Sequence, residues 1–231
     1  NSPIQRLYTG ALWSEGPAWS SQGRYLVWSD IPNNRQLRWL EDDGRVTVFR
    51  QPSNNSNGNS FDFQGRQIAC EHLTRRVVRY ENDGSVTVLA AAYDGKTLNS
   101  PNDVAPHPDG SYWFTDPPFG GSLYEGAPDA AGGPSNAEGK LQSRVGQAAG
   151  LGTAKRELPT NVYRWDPHSK KLSVVASDIA RPNGLAFSPD ESKLYVVEAG
   201  VTPRVIRAFD VVAGGLQLAN SRTLITAEPD G

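Results

Sequence analysis

Short apolar runs separated by Gly, Pro and Asp turns dominate the chain from Leu12 onward. In LWSEGPAWSSQGRYLVWSD, Leu12 to Asp30, a Glu-Gly-Pro step opens one apolar strand, a Ser-Gln-Gly turn follows, and a second strand closes on an acid. RPNGLAFSPDESKLYVVE, Arg181 to Glu198, repeats the plan, with Asn-Gly at its mouth and Glu198 at its end. Apolar runs of this kind, bounded by turn formers, read as strands joined in hairpins.

The plan recurs. A polar residue is followed eight positions later by a turn residue in Glu15 with Gly23, Asn57 with Gly65, Asn102 with Gly110 and Asn183 with Glu191, and Asp230-Gly231 opens a fifth copy. The spacings are 42, 45, 81 and 47 residues. In each unit a second strand closes on Asp30, His72, Asp116 or Glu198, and two further strands follow, as in QLRWLEDDGRVTVFR and RVVRYENDGSVTVLA. Four strands in a repeat of this length are the signature of a β-propeller blade, so the expected fold is all-β, a single domain over 1–231 with blades at about 15–56, 57–101, 102–182 and 183–229. Because hairpin-linked strands are antiparallel, the polar residue that opens the inner strand and the residue that closes its neighbour share one face. Glu15, Asn57, Asn102, Asn183 and Asp230 are therefore expected to ring the axis there, with Asp30, His72, Asp116 and Glu198 one strand further out.

The 81-residue interval holds an insertion, 120–160, rich in Gly, Ala and Ser and without a lasting period. It reads as a long loop on the pocket face, either a lid or a surface excursion. The TRRVVR cluster reads as one polar strand face, since a net charge of −2 over 231 residues offers no basic field for nucleic acid. No stretch has the apolar length of a membrane helix. The single cysteine, Cys70, excludes an internal disulfide framework, and the N-terminal NSPIQRLYTG has neither the charged nor the apolar part of a signal peptide. A cytoplasmic location is the expectation, although one thiol also suits a periplasmic or secreted protein that needs no disulfide.

Two carboxylates and two or three carboxamides around one axis make an all-oxygen site, suited to Ca²⁺ or Mg²⁺ where a zinc site would recruit His and Cys. Asn-Gly and Pro-Asn are ordinary turn formers, but Glu15 is a poor one, and a buried unpaired carboxylate at its place in the ring would be costly without a cation. Of three histidines, His107 and His168 sit in turns and are expected to be solvent-exposed. His72, at a strand end beside the ring, is a candidate acid or base, or a hydrogen-bonding partner.

SEGPAW, SNGNSFD, CEHLTRRV, LNSPNDV, WFTDPPFG, RPNGLAFSPDE and the closing DG occur in an order that resembles the SMP-30/gluconolactonase/LRE-like family, and within it the bacterial gluconolactonases. The resemblance implies a six-bladed propeller, of which the chain is expected to cover about four blades and the start of a fifth, leaving about two, on the order of 85 residues by the repeat spacing; it also implies a divalent ion, usually calcium, with Mg²⁺, Mn²⁺ or Zn²⁺ as alternatives, and hydrolysis of sugar lactones and similar esters. It places metal ligation on Glu15, Asn102, Asn183 and Asp230, water activation on Asp230 with His72 in reserve, and substrate contacts on Asn102, Ser100 and Asn57. Ser100 stands where members that bind sugar acids carry Arg. The implied partner is a small sugar lactone, with no role for nucleic acid or membrane. A phosphotriesterase using the same ion, as in diisopropylfluorophosphatase-like propellers, and a non-catalytic interaction platform are the rival readings.

Overall fold

The structure, a computed structural model, describes residues 3–120 and 156–228, and every assigned element in it is a β-strand. Each repeat folds as one four-stranded antiparallel meander. The first sheet comprises β1 (Ser14–Ser20), β2 (Tyr25–Asp30), β3 (Arg35–Leu40) and β4 (Val46–Arg50), and the second β5 (Ser56–Phe61), β6 (Gln67–Glu71), β7 (Arg76–Tyr80) and β8 (Val86–Ala90). A small hairpin, β9 (Ala92–Tyr93) and β10 (Lys96–Thr97), precedes the third sheet of β11 (Val104–Pro106), β12 (Tyr112–Asp116), β13 (Asn161–Trp165) and β14 (Leu172–Ala176). The fourth holds β15 (Pro182–Phe187), β16 (Lys193–Glu198), β17 (Val205–Val212) and β18 (Gln217–Thr226). Most of the predicted insertion, 121–155, and Asp230 lie outside the described residues.

Burial falls from the inner strands outward. β6 and β12 are buried along their whole length, because each sheet has a neighbour against both of its faces, whereas β4 and β8 expose Val48, Val86 and Val88. The innermost strands pack in the order β1, β5, β11, β15. One apolar core, built on Ile68, Cys70, Val77, Phe114 and Tyr163, joins the second and third sheets. Another, built on Trp113, Val162, Leu185, Leu194 and Phe209, joins the third and fourth. The seam between the first and second sheets is polar. There Asn59 Nδ2 donates to Gly16 O (2.9 Å), Ser29 Oγ (2.9 Å) and Asn57 O (3.0 Å), while Gln36 Nε2 and Gln67 Nε2 both donate to Asn59 Oδ1 at 3.0 Å.

The hairpin turns take positive φ where the repeat places Gly65 (+77°) and Gly110 (+85°), and Glu191 adopts +52° at the same place. Two expectations need correction. The register pairs Ser14 with Asp30, Ser56 with Glu71 and Pro182 with Glu198, so the acid that closes the second strand of the second sheet is Glu71, and His72 falls just beyond it. His107 is not a solvent-exposed turn residue: its ring lies 5.2 Å from Phe187 and 6.4 Å from Trp113, and its side chain is 12% exposed, because the turn is covered by the fourth sheet. His168 is exposed as expected. In the TRRVVR cluster Arg76 pairs with Glu71 at 2.6 Å and Arg79 with Glu81 at 2.7 Å, so that strand's charge is answered within its own sheet.

Candidate active site

The inner strands approach so closely at their first residues that side chains are excluded there. A Cβ on Gly16, whose φ is +56°, would lie 2.3 Å from Asn57 O, and one on Gly58 would lie 2.5 Å from Asn102 O. Gly58 N instead donates to Asn102 O at 2.7 Å, stitching β5 to the segment before β11. Thr115 Oγ1 donates to Asn183 O at 2.8 Å, linking the third sheet to the fourth. The glycines after Glu15 and Asn57 are thus what let the first three inner strands draw together.

Glu15, Asn57, Asn102 and Asn183, four of the five predicted ring positions, consequently line one cavity of about 240 Å³. The fifth, Asp230, lies outside the described residues. Burial pushes the Glu15 carboxyl above its ordinary pKa, against hydrogen bonds from the Gly16 amide and Trp13.

Asp103 also lines the cavity and was missed in the sequence. Its Oδ2 accepts from Leu185 N and its Oδ1 from Val104 N, both at 3.0 Å. Burial, with a smaller push from the Glu15 charge, raises its pKa to about 6. The available signal was a break in the repeat, for Asp103 occupies the position held by Gly16, Gly58 and Gly184 in the other units.

His72 is buried, and its Nε2 lies 3.3 Å from Asn57 Nδ2. Burial lowers its pKa to about 4, so near neutrality the ring is uncharged, and with Nε2 unprotonated it accepts from the Asn57 amide. Ser100 is not among the residues lining the cavity. Its hydroxyl donates to Pro117 O (2.6 Å) and accepts from Gly120 N (2.8 Å), which holds the segment 117–120 beside His72.

A cation fits this donor set by its chemistry. Two carboxylates, Glu15 and Asp103, share the cavity with three carboxamides and no lysine or arginine lines it, so hard oxygen donors are gathered around uncompensated negative charge. Among the described residues no group of three His, Cys, Asp or Glu could hold an ion, which leaves the amide oxygens as the remaining donors.

The family model described as the SMP-30/Gluconolactonase/LRE-like region matches residues 13–231. The chain belongs to this family. A gluconolactonase of Zymomonas mobilis subsp. mobilis is 30% identical over 240 residues, covering 97% of this chain and 59% of that protein. A solved gluconolactonase of Xanthomonas campestris superposes with a TM-score of 0.76 at 39% identity, covering 94% of this chain and 64% of that one. A calcium-binding regucalcin of Agrobacterium tumefaciens, at 18% identity and a TM-score of 0.64, shares the fold. The chain therefore spans about three-fifths of the length of these three relatives.

Proposed function

We propose that the chain carries the catalytic cavity of a metal-dependent lactonase of gluconolactonase type, built on consecutive blades of a six-bladed β-propeller. The convergence of Glu15, Asn57, Asn102 and Asn183 on one small cavity carries the reading, and membership of the SMP-30/gluconolactonase/LRE-like family supports it. A divalent cation, calcium first and Mg²⁺, Mn²⁺ or Zn²⁺ as alternatives, would be held by Glu15, Asn102, Asn183 and Asp230 and would supply Lewis-acid polarisation of the lactone carbonyl.

The residues of the chain bind and orient. Asn57, by turning its amide to His72, leaves Oδ1 to accept from a hydroxyl of the sugar. Asn102, buried at the cavity wall with its backbone pinned between Gly58 N and Thr115 O, presents a carboxamide of fixed direction. Asp230 takes the proton of the attacking water. His72, with a pKa of about 4, is a weak base near neutrality and acts by holding Asn57. Ser100 acts through the segment it fastens.

The test is hydrolysis of glucono-1,5-lactone by the wild-type chain and by Glu15→Gln and Asp230→Asn, with folding checked by circular dichroism. A fall of about a hundredfold or more in kcat/KM is expected for each. Unchanged turnover in both variants refutes the assignment. Preferential hydrolysis of diisopropylfluorophosphate over every sugar lactone would move the reaction to a phosphotriester, and tight calcium binding without hydrolysis of either would make the cavity a structural pin.

A further inference from the structure

Every sheet places an acid at the end of its second strand, and each acid grips the segment leading into the inner strand, two or three residues ahead of the cavity residue. Asp30 Oδ1 accepts from Leu12 N at 3.0 Å, ahead of Glu15. Glu71 Oε1 accepts from Asn54 Nδ2 at 3.1 Å, ahead of Asn57. Asp116 accepts from Asn99 N through Oδ2 and from Ser100 N through Oδ1, both at 2.9 Å, ahead of Asn102. Glu198 Oε1 accepts from Ala180 N at 2.7 Å, ahead of Asn183.

Three of these acids face an arginine of the third strand of their own sheet. Asp30 meets Arg35 at 2.9 Å, Glu71 meets Arg76 at 2.6 Å, and Glu198 has Arg207 at 3.9 Å. Asp116 is paired in register with Asn161, whose amide donates to Tyr163 OH at 2.9 Å. We infer that Asp116 is a positioning residue of the cavity, and that the charge on its carboxylate governs how firmly Asn102 is held.

The chemistry follows from the two amides. An ionised carboxylate offers one oxygen to each N–H; a protonated one turns an O–H toward one of them, donor against donor, and that amide lets go. The titratable and charged groups facing Asp116 are Arg75, between β6 and β7, which draws its pKa down, the Cys70 thiol on β6 and the Tyr163 phenol on β13. Arg75 also donates to Asn99 O at 2.9 Å, and His72 lies beyond Ser100. Burial outweighs the amide bonds and Arg75, so that the Asp116 carboxyl titrates at about 7. Below that pH the segment before Asn102 slackens, and with it the Ser100 hydroxyl that ties Pro117 and Gly120 over His72.

The inference rests on the lactonase reading only where activity is measured. Proton–nitrogen NMR spectra of the wild-type chain, recorded from roughly pH 5 to 9, should show the Asn99 and Ser100 amide protons moving together with one midpoint near neutrality. The Asn102 side-chain amide should move with the same midpoint. In Asp116→Asn all three should lose the midpoint near 7, and any movement left in the Asn102 side chain should follow its neighbour Asp103, with a midpoint of about 6. Asp116→Glu should restore the titration, since β6 and β16 end on glutamate at the matching place. Lactone kcat/KM should fall about tenfold in Asp116→Asn and lose its limb near pH 7, a loss of transition-state placement of about one pKa unit's worth. Wild-type amides fixed across the range, or an Asn102 amide indifferent to a titration that Asn99 and Ser100 do show, would overturn the inference. Titrating amides in a wild-type chain that hydrolyses no lactone would uphold it and sink the lactonase reading instead.

Discussion

The seam between the first and second sheets and the seam between the third and fourth do the same job with opposite chemistry. At the first, Ser29, Gln36, Ser56, Asn59 and Gln67 bond to one another in a buried lattice, and the lattice reaches the cavity directly, through Gly16 O and Asn57 O. At the second, Trp113, Val162, Leu185, Leu194, Val196 and Phe209 pack as an apolar core, with Trp113 edge-on to Phe187 at 5.4 Å. Polar contacts across it gather at the cavity end, where Leu185 N meets Asp103 and Thr115 meets Asn183 O. An apolar core resists loss of volume but tolerates a change of shape, whereas a hydrogen-bonded lattice fixes direction and tolerates no missing member. The cavity is thus oriented on one side by a rigid lattice and on the other by a packed core that leaves orientation to a few bonds at its rim.

The largest expected effect tests the packed side. Trp113→Ala empties a fully buried site and should cost about 3–5 kcal/mol in urea unfolding, with the first two sheets unaffected in their amide spectra. A loss under about 1 kcal/mol would mean that this seam is not a core. Next, Asn59→Leu keeps the branched shape but takes the Asn59 bond from Gly16 O, and one bond each from Asn57 O, Gln36 Nε2 and Gln67 Nε2, which retain Ser29, Ser56 and Gln36 as partners; about 3 kcal/mol is expected, the upper end for a buried group that loses its partner. If Asn59→Leu were neutral, the contrast between the seams would collapse.

A smaller effect separates the regions by pH. His72, in the loop after β6, has its pKa lowered to about 4 by burial, so the unfolded chain binds the extra proton and the His72 contribution to stability is lost as pH falls from about 6.5 toward 4. Asp116, at the end of β12, has its pKa raised to about 7, so the folded chain binds the extra proton and stability is lost as pH rises from about 4 toward 7. Between about pH 4 and 6.5 the two contributions oppose one another, so in urea titrations His72→Gln should make stability fall more steeply as pH rises and Asp116→Asn should make it fall less, each by at most about tenfold in the unfolding constant per pH unit. Equal slopes in wild type and both variants would refute the two burial shifts. The smallest change is Leu194→Met, which keeps apolar volume in the tolerant seam and should cost less than about 1.5 kcal/mol, against the larger loss from the equally conservative-looking Asn59→Leu.

Much of this was legible in the chain. The four-strand repeat and its ring residues follow from local pattern, because strand and turn preferences act over a few residues and the repeat states them four times; the structure brings Glu15, Asn57, Asn102 and Asn183 to one cavity accordingly. His72 was misaligned with the strand-closing acids because eye and spacing tolerate a slip of one residue, while the ladder of β5 and β6 does not: it pairs Ser56 with Glu71. His107 was misjudged because its exposure depends on a neighbouring sheet far away in sequence, whose Phe187 covers it.

By itself, then, the sequence determined the strands, the turns, the glycines that allow close approach and the choice of oxygen donors, all of which are set by backbone conformation and side-chain chemistry at single positions. Tertiary structure alone decided that Asp103 faces the cavity, that Ser100 fastens a neighbouring segment, and that Asp116 holds two amides without a facing arginine of its own sheet. These are properties of what surrounds a residue, and the desolvation and partnering that give them force arise only when sheets distant in the chain close around it.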